Sequence, residues 1–315
     1  TRLRRPLLRQ RTMLEPTAWH DVEPRMRDGI QSAGSADPSA VRFLVSAHAT
    51  TEELFVLKQM VEGLLGADGP SLVTVSWNRR DKPQPPVTKF KISATDAPNV
   101  NGARDLGFTV GAGNDGTPDL SGLRTAVEAG RVKALYVIDP GPEGSLGDVS
   151  WVIAARRSSK VPLLIVQGVV TTELTSAADI VLPGAAWVEK DATYTNDQGR
   201  VQASSKAINP PGEAREDWQI LAGVATSLGL AMTYQSSDDV RKAISAALPG
   251  TKYADAHAIA FAPAVSAANW LQASNPSERW KWDFLYQDLP PVKGHNVQME
   301  SGVGSPSFIP LKPVD

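Results

Sequence analysis

The residues best placed to do chemistry are polar groups on loops that follow apolar runs. Asp139-Pro140-Gly141-Pro142-Glu143-Gly144-Ser145 comes directly after Ala134–Ile138, which reads as a buried strand. In a sheet of parallel strands, ligands bind at the carboxyl ends, on loops such as this one. Asp139 and Glu143 place negative charge there, where a phosphate would lie, which argues against a phosphate. A second polar stretch carries Glu189, Thr193, Asn196 and Arg200. It lies between a short strand, Asp179–Leu182, stopped by Pro183, and a helix expected over Glu213–Leu228 after the break at Pro210-Pro211-Gly212. Arg200 and Asn196 could hold a polar ligand. The same residue types also make an internally bonded loop, and the lack of a soft metal ligand beside them favours that reading.

Other chemistries find little support. Gly111-Ala112-Gly113-Asn114-Asp115-Gly116 fits G-x-G-x-x-G, but Thr117-Pro118-Asp119 separates it from the next helix, and Asp115 and Asp119 would repel a pyrophosphate. Cys is absent, which excludes disulfides, thiolate zinc sites and cysteine-ligated iron–sulfur clusters within these 315 residues. The four His (His20, His48, His257, His295) are scattered, and no metal site is expected. No nucleophile elbow occurs, and His48 at a strand end reads as structural. A net charge of -2 gives no bulk attraction to nucleic acid or anionic lipid. No run approaches the roughly 18 apolar residues that a membrane span needs.

These loops need a scaffold. Val41–Ala47, Ser71–Trp77, Ala134–Ile138, Leu163–Gln167 and Asp179–Leu182 read as strands. Helical spacing marks 19–31 (Trp19, Val22, Met26, Ile30) and 54–65, with Thr50 or Thr51 capping the second and Glu53 placed for a capping box. Leu120–Glu128, Ser145–Ser158 and Asp238–Leu248 add further helices. Alternation of strands and helices predicts an α/β fold: a doubly wound, mostly parallel sheet flanked by helices, with an irregular, aromatic-containing C-terminal tail. The expected organisation is an N-terminal arm and short helix over 1–40, the α/β domain over 41–249, and an extended tail over 250–315. Residues 1–18, rich in Arg, are expected as a solvated basic arm.

Ala178-Asp179-Ile180-Val181-Leu182-Pro183, then Glu189 to Asn196 with Gly199-Arg200-Val201-Gln202, then Pro211 to Trp218, together resemble the molybdopterin oxidoreductase superfamily. With Asp96-Ala97-Pro98-Asn99, Gly102 to Gly107 and the Glu189-Lys190-Asp191 variant, the chain looks most like the C-terminal, molybdopterin-oxidoreductase-like part of the large iron–sulfur subunit of respiratory complex I, NADH:quinone oxidoreductase. Leu3 to Arg9 and Trp19-His20-Asp21 resemble the part downstream of that subunit's cluster ligands. The resemblance implies a non-catalytic, structural part of the peripheral arm. It would support electron transfer from NADH to quinone coupled to proton translocation by that translocase. Its partners would be the flavin- and cluster-bearing subunits, and its place the cytoplasmic side of the plasma membrane or the mitochondrial matrix side. No cofactor is expected in this segment, with FMN and iron–sulfur clusters elsewhere in the complex. Asp139, Glu189, Thr193, Asn196 and Arg200 would then be remnants of a pterin pocket. The alternative implied by the same motifs is the pterin-binding portion of an active molybdenum oxidoreductase such as a formate dehydrogenase.

Overall fold

The computed structural model describes residues 1–86, 92–111 and 116–256. The expected tail beyond 256, with its tryptophans, and Ala112–Asp115 of the glycine-rich motif lie outside the described residues. One compact unit comprises Thr1–Arg80 and Ala94–Ala260; a second comprises Asp81–Ser93 and Phe261–Asp315. In the described part of the second unit, the Gln84 amide bonds both the N–H and the C=O of Ile92.

In chain order the first unit runs β1 (Leu7–Gln10), β2 (Met13–Pro16), α1 (Trp19–Gly34), β3 (Val41–Ser46), α2 (Thr51–Leu65), β4 (Val73–Ser76), β5 (Asn78–Arg79), β6 (Thr95–Asp96), α3 (Val100–Asp105), α4 (Ser121–Glu128), β7 (Ala134–Asp139), α5 (Ser150–Arg157), β8 (Leu163–Gly168), α6 (Glu173–Ala177), β9 (Ile180–Pro183), β10 (Ala192–Thr195), β11 (Val201–Ser204), α7 (Asp217–Ser227) and α8 (Ser237–Ala247). The main sheet has the order β2-β1-β9-β8-β7-β3-β4. Strands β4, β3, β7, β8 and β9 are parallel, and the β1–β2 hairpin is antiparallel. The fold is therefore the expected α/β arrangement, a largely parallel sheet flanked by helices.

The central strands are apolar on both faces because both are covered. Phe43, Val45, Tyr136, Ile138, Ile165, Ile180 and Leu182 face one core, with α1, α2, α7 and α8. Leu44, Leu135, Val137, Leu164, Val166 and Val181 face the other, with α4, α5 and α6. The two sets alternate along each strand, as a two-residue side-chain period requires. Helix α2 has the expected capping box: Thr50 Oγ1 accepts from Glu53 N–H, and a Glu53 oxygen accepts from Thr50 N–H. Gly66, at φ 77°, ends it.

Three local expectations change. Residues 1–18 are not a solvated arm: they form the β1–β2 hairpin, which lengthens the sheet by pairing with β9. Arg9 helps to fix it there, donating to the carbonyl of Ala178 at 2.8 Å. The polar stretch after β9 is not all loop, since Ala192–Thr195 and Val201–Ser204 pair as an antiparallel hairpin. The following helix starts at Asp217, not Glu213, because Arg215 is still extended and bridges Gly184. Among the described residues, no helix is long and apolar enough to cross a membrane.

Candidate functional site

The chain order changes direction between β3 and β7. From β3 the chain passes through α2 to β4 on one side, whereas β7, β8 and β9 build outward on the other. Loops at such a reversal splay apart at the carboxyl ends of the strands and leave a crevice. Here it is a cleft of about 490 Å³ lined by His48 after β3, Asn78 of β5, Thr95 and Asp96 of β6, and Glu143 and Ser145 after β7. A second cleft, about 270 Å³, lies on the other side of the β7 loop, where Asp139, Glu143, Asp148, Thr172 and Glu173 contribute.

The floor between the two clefts is a run of hydrogen bonds. Ser145 Oγ donates to Asp139 Oδ1, and the Ser46 and Ser145 hydroxyls lie 3.0 Å apart. Ser46 Oγ is 3.4 Å from His48 Nδ1 and accepts the His48 N–H at 3.2 Å. Gly141 makes this packing feasible: a Cβ there would come within 2.5 Å of Ser145 Cβ and 2.8 Å of His48 Cγ. Burial pushes the Asp139 carboxyl up to about 7, with Asp217 adding to the rise and the bonds from Ser145 and Gly141 opposing it. Burial also lowers His48 to about 4, the Asp96 charge opposing this and Lys190 reinforcing it. His48 is therefore a neutral imidazole at neutral pH.

Behind the cleft lies a buried ionic lattice built on the first turn of α2. Lys190 Nζ bonds Glu53 and lies 3.1 Å from Asp217 Oδ2, and all three side chains are buried. Asp217 also accepts from Gln167 Nε2 at 2.8 Å and from Ala185 N–H at 3.1 Å. Gly184 leaves room for it, since a Cβ there would sit 2.3 Å from Asp217 Oδ1. Burial pushes Glu53 up to about 7 against the pull of Lys190. Burial opposes the Lys190 charge, but Asp217 and Glu53 outweigh it and hold the ammonium above its usual range. The neighbouring Glu52 accepts from Thr193 N–H at 3.0 Å, Thr193 Oγ1 at 2.8 Å and Arg241 Nε at 2.7 Å.

Of the five residues singled out in the sequence, only Asp139 reaches the switch point. Glu189 pairs with Arg2 and accepts the Ala186 N–H at 2.9 Å. Thr193 is absorbed by Glu52. Asn196 shapes the β10–β11 turn, its Oδ1 accepting from the N–H of Gln198 at 3.1 Å and of Arg200 at 2.9 Å. Arg200 is exposed at that turn. Sequence reasoning set His48 aside and missed Ser46 and Ser145. The signal available was their position, with Ser46 ending β3, His48 just beyond it and Ser145 on the loop that follows β7.

Whether a pterin dinucleotide fits can be tested on the helix starts at this edge. Glu53 closes the start of α2 on itself, Asp148 accepts the Ser150 N–H at the start of α5, and Glu173 stands at the start of α6. At these three helix starts, where an anion would gain from backbone N–H groups, a carboxylate already stands, so phosphates do not fit there. The cleft wall, by contrast, offers hydroxyl, amide, imidazole and carboxylate groups, which fit a neutral hydrogen-bonding ring. Among the described residues, no group of three or more His, Cys, Asp or Glu could hold a metal ion.

Comparison with known proteins places part of the chain. Residues 87–227 match the molybdopterin oxidoreductase family. The F420-dependent formate dehydrogenase subunit alpha of Methanocaldococcus jannaschii is 42% identical over 125 residues, 39% of this chain and 18% of that protein. The F420-dependent formate dehydrogenase 1 subunit alpha of Methanococcus maripaludis is 38% identical over 121 residues, 38% of this chain and 18% of that protein. A nitrate reductase of Klebsiella oxytoca is 38% identical over 121 residues, 38% of this chain and 14% of that protein. This chain thus spans less than a fifth of the curated relatives it matches. Acetylene hydratase from Pelobacter acetylenicus aligns at TM-score 0.34 and 19% identity, over 40% of this chain and 18% of that one, which carries no weight for the fold.

These names correct the expectation of a complex I subunit. They are formate dehydrogenases and a nitrate reductase, so the assignment to the NADH:quinone translocase falls. Its vocabulary of NADH, quinone and peripheral arm falls with it, as do the partners it implied. Most of the quoted motifs build the β9 strand, the β10–β11 hairpin and the start of α7, which is scaffold within the stretch 87–227 that matches the family. What stands is an α/β fold in which residues 87–227 match the molybdopterin oxidoreductase family.

Proposed function

We propose that this chain is the pterin-facing α/β portion of a molybdenum oxidoreductase of the formate dehydrogenase or nitrate reductase type, and that the switch-point cleft takes the ring end of the cofactor. The observation that carries this reading is the position of the family match. Residues 87–227 include Thr95, Asp96, Glu143 and Ser145, so the matched stretch forms most of the cleft wall. When bound, a molybdenum–pterin group supplies two-electron redox chemistry. Ser145 and His48 would hydrogen-bond the ring on the cleft floor, with Asn78 and Glu143 at its mouth. Gly141 keeps the β7 loop low enough for those groups to converge. The metal ligand and the phosphate contacts are assigned to other parts of the enzyme, in keeping with the carboxylates at the helix starts.

A second reading keeps the same fold without the cofactor, with Asp139, Glu189, Thr193, Asn196 and Arg200 as remnants of a pterin pocket. It is favoured by the complete internal pairing of Glu189 and Thr193. Pterin analysis separates the two. The protein is purified, released pterin is oxidised to its fluorescent form and quantified, and molybdenum and tungsten are measured alongside. The first reading expects about one pterin per chain. A folded protein with neither pterin nor metal would overturn it in favour of the second.

A further inference from the structure

Connected hydroxyls join His48, which lines one cleft, to Asp139, which lines the other. We propose that His48, Ser46, Ser145 and Asp139 form a proton relay, in which His48 removes a proton from a weak acid bound in the switch-point cleft and Asp139 stores it. The proposal is independent of which cofactor, if any, occupies the cleft.

The bonding pattern gives the relay a direction. Ser46 Oγ already accepts the His48 N–H, and Ser145 Oγ donates to Asp139. With the Ser46 hydroxyl donating to Ser145, 3.0 Å away, His48 Nδ1–H is left to donate to Ser46. That arrangement leaves the other ring nitrogen, Nε2, as the acceptor available to a ligand, on a ring that lines the cleft. A ligand N–H or O–H bond breaks as a bond to Nε2 forms. The Nδ1 proton passes to Ser46 Oγ, the Ser46 proton to Ser145 Oγ, and the Ser145 proton to the Asp139 carboxylate. The ligand ends one proton poorer, Asp139 becomes a carboxylic acid, and His48 only exchanges one neutral tautomer for the other. No imidazolium need persist, which agrees with a ring held neutral by burial. No redox partner is required.

The groups around each end suit these roles. Facing His48 are Asp96, Glu143 and, at longer range, Lys190. Facing Asp139 are Ser145, the Gly141 N–H and the more distant Asp217. Among the described residues, Asp139 has no cation beside it, unlike Glu53 or Asp217. A buried carboxyl of this kind takes up a proton near neutral pH, where a base works best. It also borders the second cleft, through which the stored proton can leave.

The test is the tautomer of His48, read by long-range nitrogen–proton correlation NMR on the ¹⁵N-histidine-labelled protein between pH 5.5 and 8.5. His48→Gln assigns its resonances. The relay predicts an Nε2–H tautomer when Asp139 is protonated and an Nδ1–H tautomer when it is ionised, so the wild-type ring switches near pH 7. Ser145→Ala and Ser46→Ala should each abolish the switch, while the Asp139 carboxyl, followed by its infrared band, still titrates. Asp139→Asn should leave one tautomer across the range. Two results would overturn the relay: a wild-type ring that keeps one tautomer throughout, or a switch that survives loss of the serine hydroxyl, which would mark coupling through space. The wild-type arm needs no variant to fold.

Discussion

The switch-point cleft and the ionic lattice behind it both bury carboxylates near the same strand ends, and treat them in opposite ways. In the lattice, Glu53 and Asp217 share Lys190, and Glu52 has Arg241. At the cleft, Asp139 has hydroxyl and amide partners. A buried carboxylate with a cation stays fixed and ties elements together. Burial raises both Glu53 and Asp139 to about 7, so what separates the two is the partner, an ammonium for Glu53 and hydroxyl and amide groups for Asp139. The first arrangement ties elements together and the second is the one the proposed relay uses, although their sequence signatures, isolated Asp and Glu on loops and helix starts, look alike.

The largest expected effect falls on the lattice. Lys190→Met leaves Glu53 and Asp217 buried without their cation, and should cost roughly 3–5 kcal/mol in denaturant unfolding, the usual penalty for breaking a buried pair. Asp139→Asn at the cleft should cost much less at neutral pH, since the group it replaces is already half protonated there. Equal losses from the two variants would erase the contrast.

The pH dependence sharpens it further. The folded value of Asp139, about 7, lies above the ordinary value of 3.8, so the folded state holds a proton that the unfolded chain has released. Its contribution is full below about 4 and declines as pH rises to about 7. His48 acts in the other direction. Its folded value, about 4, lies below 6.5, so stability is lost as pH falls from 6.5 to 4. The two slopes oppose one another between 4 and 6.5. Asp139→Asn should therefore expose a steeper loss of stability on acidification, seen as a falling denaturant midpoint with pH. An unchanged slope would mean that Asp139 is already ionised in the folded protein.

A smaller effect is expected where α2 begins, since the cap supports both regions. Thr50→Ala removes the hydroxyl that accepts from Glu53 N–H and should cost about 1 kcal/mol. Smallest is Arg215→Ala, which removes a guanidinium 4.0 Å above the Trp19 ring and should cost about 0.5–1 kcal/mol in the same assay.

The sequence made one of these regions far easier to see than the other. Runs such as Val41–Ala47 and Ala134–Ile138 announce central strands because burial on both faces leaves few polar positions. Trp19, Val22, Met26 and Ile30 likewise mark the buried face of α1. The hairpin at Ala192–Thr195 was hidden because its residues are mostly polar, their hydroxyls being used inside the protein. The lattice was hidden by distance along the chain, since Lys190 meets a Glu53 that lies 137 residues away. Asp139 was visible as a charge on a strand-end loop, but its burial was not, and burial is what turns a repelling anion into a proton acceptor. Apart from Asp96-Ala97, which lines the cleft, the motifs that suggested complex I describe scaffold, while Ser46, His48 and Ser145 form no contiguous pattern.

The central claim is that the working edge of this domain is the switch-point cleft and not the β10–β11 turn. Its most direct test compares pterin content per chain in two variants of the purified protein: Asn78→Trp, which fills the mouth of the cleft, and Arg200→Ala, at the exposed turn. The account predicts that Asn78→Trp loses most of the pterin while Arg200→Ala retains the wild-type amount. Loss in Arg200→Ala with retention in Asn78→Trp would contradict it.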